Sequence, residues 1–303
     1  LNGQADALDD IGKNAEGSTS GVGRLADIIK GNLLSAAIVS GVKALGSALA
    51  GIARGLFDVG KQAIQSYAEY EQLVGGVDTL FKEGSDEVQK YASEAYKTAG
   101  LSANEYMETV TSFSASLLQS LNGDTAETAK VADMAITDMA DNANKMGTSM
   151  SSIQSAYQGF AKQNYTMLDN LKLGYGGTKT EMERLLSDAE KLSGQKYDIS
   201  NLNDVYEAIH VVQTELGITG TTAKEATKTI SGSISAMKSA WTNLVAGMSN
   251  ENADLEELVN NVVDSVITVL DNIVPRIEVF VQQIPVIMTN LISKISEFLP
   301  KLL

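Results

Sequence analysis

All three prolines of this 303-residue chain, Pro275, Pro285 and Pro300, lie near its end, so positions 1–274 lack the residue that most strongly interrupts a helix. A stretch of that length dominated by Ala, Leu, Ser, Gly and Val can form one helix after another, and the chain is expected to be all-α. Apolar residues make up 44% but aromatics only 6%, which predicts shallow helix-to-helix contacts and not a thick globular core.

The pattern divides the chain into five parts. Residues 1–24 are polar and Gly/Ser-rich, a flexible lead with a joint at Gly17–Gly23. Residues 25–64 read as an apolar Gly/Ala-rich helix. Within it Leu25–Phe57 is interrupted by Lys30, Lys43 and Arg54, and Gly51 and Gly55 stand four apart, a spacing that lets helices approach closely in a bundle or a bilayer. Lys43, in the middle of the best apolar window, argues against a resident membrane span. The first residue is Leu and no basic segment precedes Leu8, which reads as an excised fragment without a signal peptide.

Residues 65–220 read as a multi-helix domain. Ser102 with Glu105 makes a capping box ahead of Val110, Phe113, Leu117 and Leu121. Asp124 caps a helix with Ala132, Ile136, Met139, Ala143 and Met146 on one face. After a turn at Gly147 the spacing continues through Met150, Ile153, Tyr157 and Phe160, and Asn201–Leu216 adds a helix carrying Leu202, Val205, Tyr206, Ile209 and Leu216.

Residues 221–273 tighten into coiled-coil-like helices. Ile230, Ile234, Met237, Trp241, Leu244 and Met248 form one four-three seam; Leu255, Val259, Val262, Val266, Val269 and Ile273 form a second, with Glu257, Asp264 and Asp271 seven apart on an outward stripe. One helix cannot bury such a seam alone, so partner helices are implied, most simply copies of the same chain. In the hydrophobic tail, residues 274–303, each proline is expected to break or kink the helix into short amphipathic pieces that could line a tube or lie in a membrane interface.

Few parts for catalysis are present. There is no cysteine and one histidine, His210, which excludes thiolate chemistry and a histidine-rich metal site. His210 lies between Ile209 and Val211 on a helix and reads as a structural or surface residue. No pair among the 38 acids stands out as glycosidase-like, and the formal net charge of −15 argues against a duplex nucleic-acid surface. No catalytic, cofactor-binding or metal-binding residue is assigned, and the chain is not expected to be an enzyme.

The most distinctive stretch is Gln163–Leu192, QNYTMLDNLKLGYGGTKTEMERLLSDAEKL. Leu168, Leu171 and Leu173 anchor a structural turn at Gly174, Gly176 and Gly177. Thr178 with Glu181 reads as a capping box for a helix whose face carries Met182, Leu185, Leu186, Ala189 and Leu192. Glycines, Lys179 and Thr180 at a helix start invite a phosphate-loop reading, but Thr178 separates Gly177 from Lys179 and no buried strand precedes them. The run MLDNLKLGYGGTK closely resembles the central region of phage tail tape measure proteins of Gram-positive phages and prophages. Weaker likeness extends through Tyr70-Glu71-Gln72-Leu73 and the proline-punctuated tail, over residues 65–303.

The resemblance implies a structural protein in the lumen and at the tip of the tail tube, made in the host cytoplasm, which sets tail length and helps tail-tip assembly and DNA ejection. It implies a homo-oligomer, a trimer ahead of a hexamer, with tail tube and tail-tip proteins as partners, no specific nucleic acid, and transient contact with the host membrane. A second expectation is a membrane-active conduit built from Leu25–Phe57 and Ile273–Leu303, and a third is a peptidoglycan hydrolase domain. Such proteins are commonly much longer; a fully helical chain of this length reaches only about 450 Å, which suggests a part of a longer whole.

Overall fold

The computed structural model describes the backbone of residues 63–298 and the side chains of residues 63–276; the calls on residues 1–24 and on Leu25–Phe57 lie outside them. Among the described residues all regular structure is helical. The elements run α1 (residues 63–81), a 3-10 turn at Lys82–Gly84, α2 (Ser85–Thr98), α3 (Ala103–Ser120), α4 (Thr125–Met146) and α5 (Met150–Phe160). A second 3-10 turn, Leu168–Leu171, leads to α6 (Lys179–Ser193), α7 (Leu202–Glu215), α8 (Thr221–Lys228), α9 (Ile230–Gly247) and α10 (Leu255–Phe298).

Caps fix many of these boundaries. At α3 the box is reciprocal: the Ser102 hydroxyl accepts the Glu105 amide, and the Glu105 carboxylate accepts the Ser102 amide at 2.8 Å. The Asp124 carboxylate accepts the Glu127 amide at 2.9 Å, and Gly147 ends α4 in the left-handed region. α3, α4, α5 and α7 bury their predicted faces in one contiguous core, from Val77 on α1 to Val212 on α7. That core is thicker than composition suggested, because the few aromatics are concentrated in it. Tyr157 and Tyr206 lie 5.0 Å apart, Phe113 meets Tyr206 edge-on at 5.6 Å, and Tyr206 Oη donates to the Tyr157 carbonyl at 3.0 Å. Two residues placed on buried faces are instead at surface-facing helix ends: Leu192 is 48% and Leu216 is 53% exposed.

A smaller second core joins α9 and α10 into an antiparallel hairpin: Leu244, Val245, Met248, Leu255 and Val259 are buried together with Ala63. α9 has two working faces. One carries the large apolar residues toward α10, where Gly247 meets Leu258; the other buries Ser233, Ala236, Ser239, Ala240 and Asn243, and α9 also packs against α2, α3 and α8. Along its body-facing side Ser239 Oγ donates to the Gly100 carbonyl at 2.9 Å, and Asn243 Oδ1 accepts the first amide of α3, Ala103, at 2.7 Å.

α10 corrects the reading of the tail. It is one 44-residue helix that continues through Pro275 and Pro285, and the division at residue 273/274 is not a break in secondary structure. A proline inside a helix removes its own amide hydrogen bond and crowds the carbonyl four residues back, and the strong apolar periodicity on both sides carries the helix across. Because α9 has 18 residues, it reaches only as far as Asn272, whose side-chain amide donates to the Thr227 and Thr229 carbonyls at 3.3 Å. Residues 273–298 therefore run on beyond α9 for about 39 Å.

Candidate functional site

Three places qualify by chemistry or pattern: the seams, the glycine turn, and a buried polar cluster around His210. The seams are built largely against each other. Leu244, Met248, Leu255, Val259 and Val269 are buried; Ile234, Met237, Trp241, Val262, Val266 and Ile273 are half-buried; Ile230 is exposed. Trp241 and Val262 pack on the hairpin core. The inference from seam to identical copies thus loses its first step, because the chain supplies its own partner helix. Glu257, Asp264 and Asp271 are exposed along α10, as their spacing predicts.

In the glycine turn Leu168 and Leu171 are buried and Leu173 packs on the main core. Gly174 has φ 87°, a left-handed angle that a side chain resists, and a Cβ on Gly177 would stand 2.2 Å from the Thr166 carbonyl oxygen. At Gly176 neither constraint applies, since a Cβ there meets only the Glu181 side chain at an ordinary 3.5 Å. The capping box is half present. Thr178 Oγ1 accepts the Glu181 amide at 3.2 Å, but the Glu181 carboxylate turns to the Gly176 amide at 3.0 Å.

Arg184, which the sequence reading did not single out, ties the turn together. Its Nη2 donates to the Gly174 carbonyl at 2.7 Å and to Glu181 Oε2 at 2.6 Å, and its guanidinium lies 4.2 Å from the centre of the Tyr175 ring. Arg184 and the Gly176 amide hold the Glu181 carboxyl below its usual range, while burial and Asp188 push Tyr175 up to about 12. A carboxylate already fills the turn and Lys179 pairs with Glu183 at 3.8 Å, so an incoming phosphate would meet negative charge. The geometry is that of a clamped junction between the 3-10 turn and α6.

The polar cluster lies inside the main body. His210 Nδ1 is 2.9 Å from both oxygens of Asp138, whose side chain is 1% exposed while that of His210 is 35% exposed. The Asp138 hydrogen bond raises the His210 pKa, and burial lifts the Asp138 carboxyl to about 6. One turn along α4, the buried Asp141 carboxylate accepts the amides of Gly220 and, at 2.7 Å, Thr222. Asn142 Nδ2 donates to the Leu171 carbonyl at 3.0 Å, linking α4 to the turn. Nearby, Tyr157 Oη and both ends of the Gln213 amide are buried without a hydrogen bond of good geometry.

His210 is half-buried against a partner 72 residues away, and no local spacing announces that pairing. Among the described residues no group of three or more His, Cys, Asp or Glu side chains is arranged to hold a metal ion, and no helix is long and apolar enough to cross a membrane. A groove of about 240 Å³ between the α9–α10 loop and α2 and α3 has a mixed lining, with the amide side chains of Gln89, Asn243, Asn250 and Asn261 beside the apolar Ala92, Met107 and Leu258. No family model, curated protein or solved structure matches the chain.

Proposed function

We propose that this chain is a structural element of a phage tail, a portion of a tape measure protein that occupies the tube lumen. The observation that carries the reading is the Tyr165–Leu192 run, whose likeness to the central region of that family is specific in sequence. Its all-helical setting, acidic balance and internally satisfied glycine turn support a role that is geometric instead of catalytic. Assembly as a homo-oligomer, a trimer first, would use what the hairpin leaves half-exposed: Ile234, Met237, Trp241, Val262, Val266 and Ile273.

The test is tail length. In a phage carrying this chain, in-frame deletions within it shorten tails in proportion to the residues removed, at up to about 1.5 Å per residue. Tails of unchanged length overturn the assignment. Cryo-EM of the assembled tail should also show helical density on its axis that fits α9 and α10. Membrane contact rests on the apolar sequences of Leu25–Phe57 and Ile273–Leu303, and leakage of dye from liposomes by the full chain is its separate measurement.

A further inference from the structure

The groove of about 240 Å³ lies where the main body meets the hairpin: α2 and α3 supply one side, and α9, the α9–α10 loop and the start of α10 supply the other. Its floor is apolar, with Ala92 and Met107 buried and Leu258 half-buried beside them. The hydrogen bonds made around this floor show what polar capacity is left over. Asn243 is 8% exposed; its Oδ1 accepts the Ala103 amide at 2.7 Å, and among the described residues no acceptor meets its Nδ2. Gln89 is the converse, since its Nε2 donates to Ser85 at 3.1 Å and to Asp78 at 3.3 Å, which leaves Oε1. Asn250 Oδ1 accepts the Asn252 amide at 3.0 Å and leaves Nδ2, and Asn261 adds a whole amide.

These remainders select a ligand. Spare donors and spare acceptors stand around one space, so the complementary molecule must both accept and donate. A phosphate or carboxylate only accepts, and it would face Asp254 and Glu257 at the exposed rim, with no Lys or Arg among the described lining residues to offset them. An ammonium only donates, which leaves the buried Asn243 Nδ2 unanswered. A peptide strand has both groups, but it is read by a row of partners along one edge, and here the amides come from α2, α9, the loop and α10 around a compact hollow. Hydroxyls set around a ring match that arrangement, while the ring's C–H face lies on the apolar floor.

We propose that the groove is a binding site for a small neutral carbohydrate of one or two sugar rings, held between the body and the hairpin. Asn243 Nδ2 donates to a hydroxyl at the floor, Gln89 Oε1 and the carboxylates of Asp254 and Glu257 accept from hydroxyls nearer the rim, and Asn261 does both. Such a site is independent of whether the chain serves in a phage tail. Because the sugar touches both sides of the groove, its binding also ties the hairpin to the body.

Two-dimensional NMR of the full chain, followed through the side-chain amide signals of asparagine and glutamine, tests the site with three probes: glucose, galactose and N-acetylglucosamine. At least one should shift the signals of Gln89, Asn243 and Asn261 saturably, with a Kd of about 1 mM or tighter. Asn261→Leu keeps the bulk of the side chain and should weaken that binding about tenfold, the effect of losing one or two hydrogen bonds. Glu257→Ala changes an exposed residue at the rim, leaves the fold intact, and should weaken it about threefold. No saturable shift with any of the three sugars, shifts confined to residues outside the groove, or undiminished affinity in both variants overturns the site; so does tighter binding of acetyl-trialanine amide, which would make the groove a peptide site.

Discussion

Single residues decide the turn and the cluster. Gly177→Ala would drive a methyl group against the Thr166 carbonyl and should cost about 1–3 kcal/mol, whereas Gly176→Ala should be nearly neutral; thermal melts of the two variants side by side check this. Asp138 makes a second prediction, with an unusual sign. Its folded pKa, about 6, exceeds the ordinary 3.8, so the stability it contributes is complete below the ordinary value and is lost as pH rises to about 6. His210, raised above 6.5, loses its contribution at higher pH still. The wild-type melting temperature should fall between about pH 5 and pH 8, and fall less in Asp138→Asn; equal slopes would refute the pair's role. The caps at Ser102 and Asp124 were legible in the sequence because a cap and its target lie three residues apart. Asp138–His210 and Asp141–Gly220 were not, because they join positions more than seventy residues apart and depend on the packing of α4 against α7 and α8.

At the scale of elements, periodicity identified the helices but left their partners open. The four-three spacing of Ile230–Met248 and of Leu255–Ile273 says that each helix has an apolar face; it does not say whether the covering helix comes from the same chain. A seven-residue link between α9 and α10, residues 248–254, lets the two seams close on each other. Leu244→Asp, at a buried hairpin position, should therefore unfold the hairpin and lower the melting temperature whatever the oligomeric state. Val266→Asp, at a half-buried position outside the hairpin core cluster, separates the two roles: analytical ultracentrifugation should show loss of oligomers if the hairpin's outer face joins copies, and an unchanged sedimentation coefficient would remove that interface. Pro275→Ala should restore an amide hydrogen bond inside α10 and strengthen the helix by up to about 3 kcal/mol, seen as a later loss of ellipticity on heating.

Across the whole molecule, stability is unevenly divided. The main core gathers α1 through α7 around Tyr157 and Tyr206, while the hairpin depends on a small cluster and a few side-chain-to-backbone bonds. Hydrogen exchange should accordingly show α3, α4 and α7 opening last and α9 and α10 first; uniform protection would mean that the two cores unfold together. The all-helical class was readable from where the prolines stand, yet the same rule misjudged the tail, since a long amphipathic helix tolerates a proline that a short one does not. The length of α10 also has a mechanical meaning. Held by α9 as far as Asn272, its helical backbone runs on for about 39 Å, farther than the length of the 18-residue helix that holds it. A tilt of about 10° about Asn272 would sweep the far end of this helix through about 7 Å, the width of a side chain.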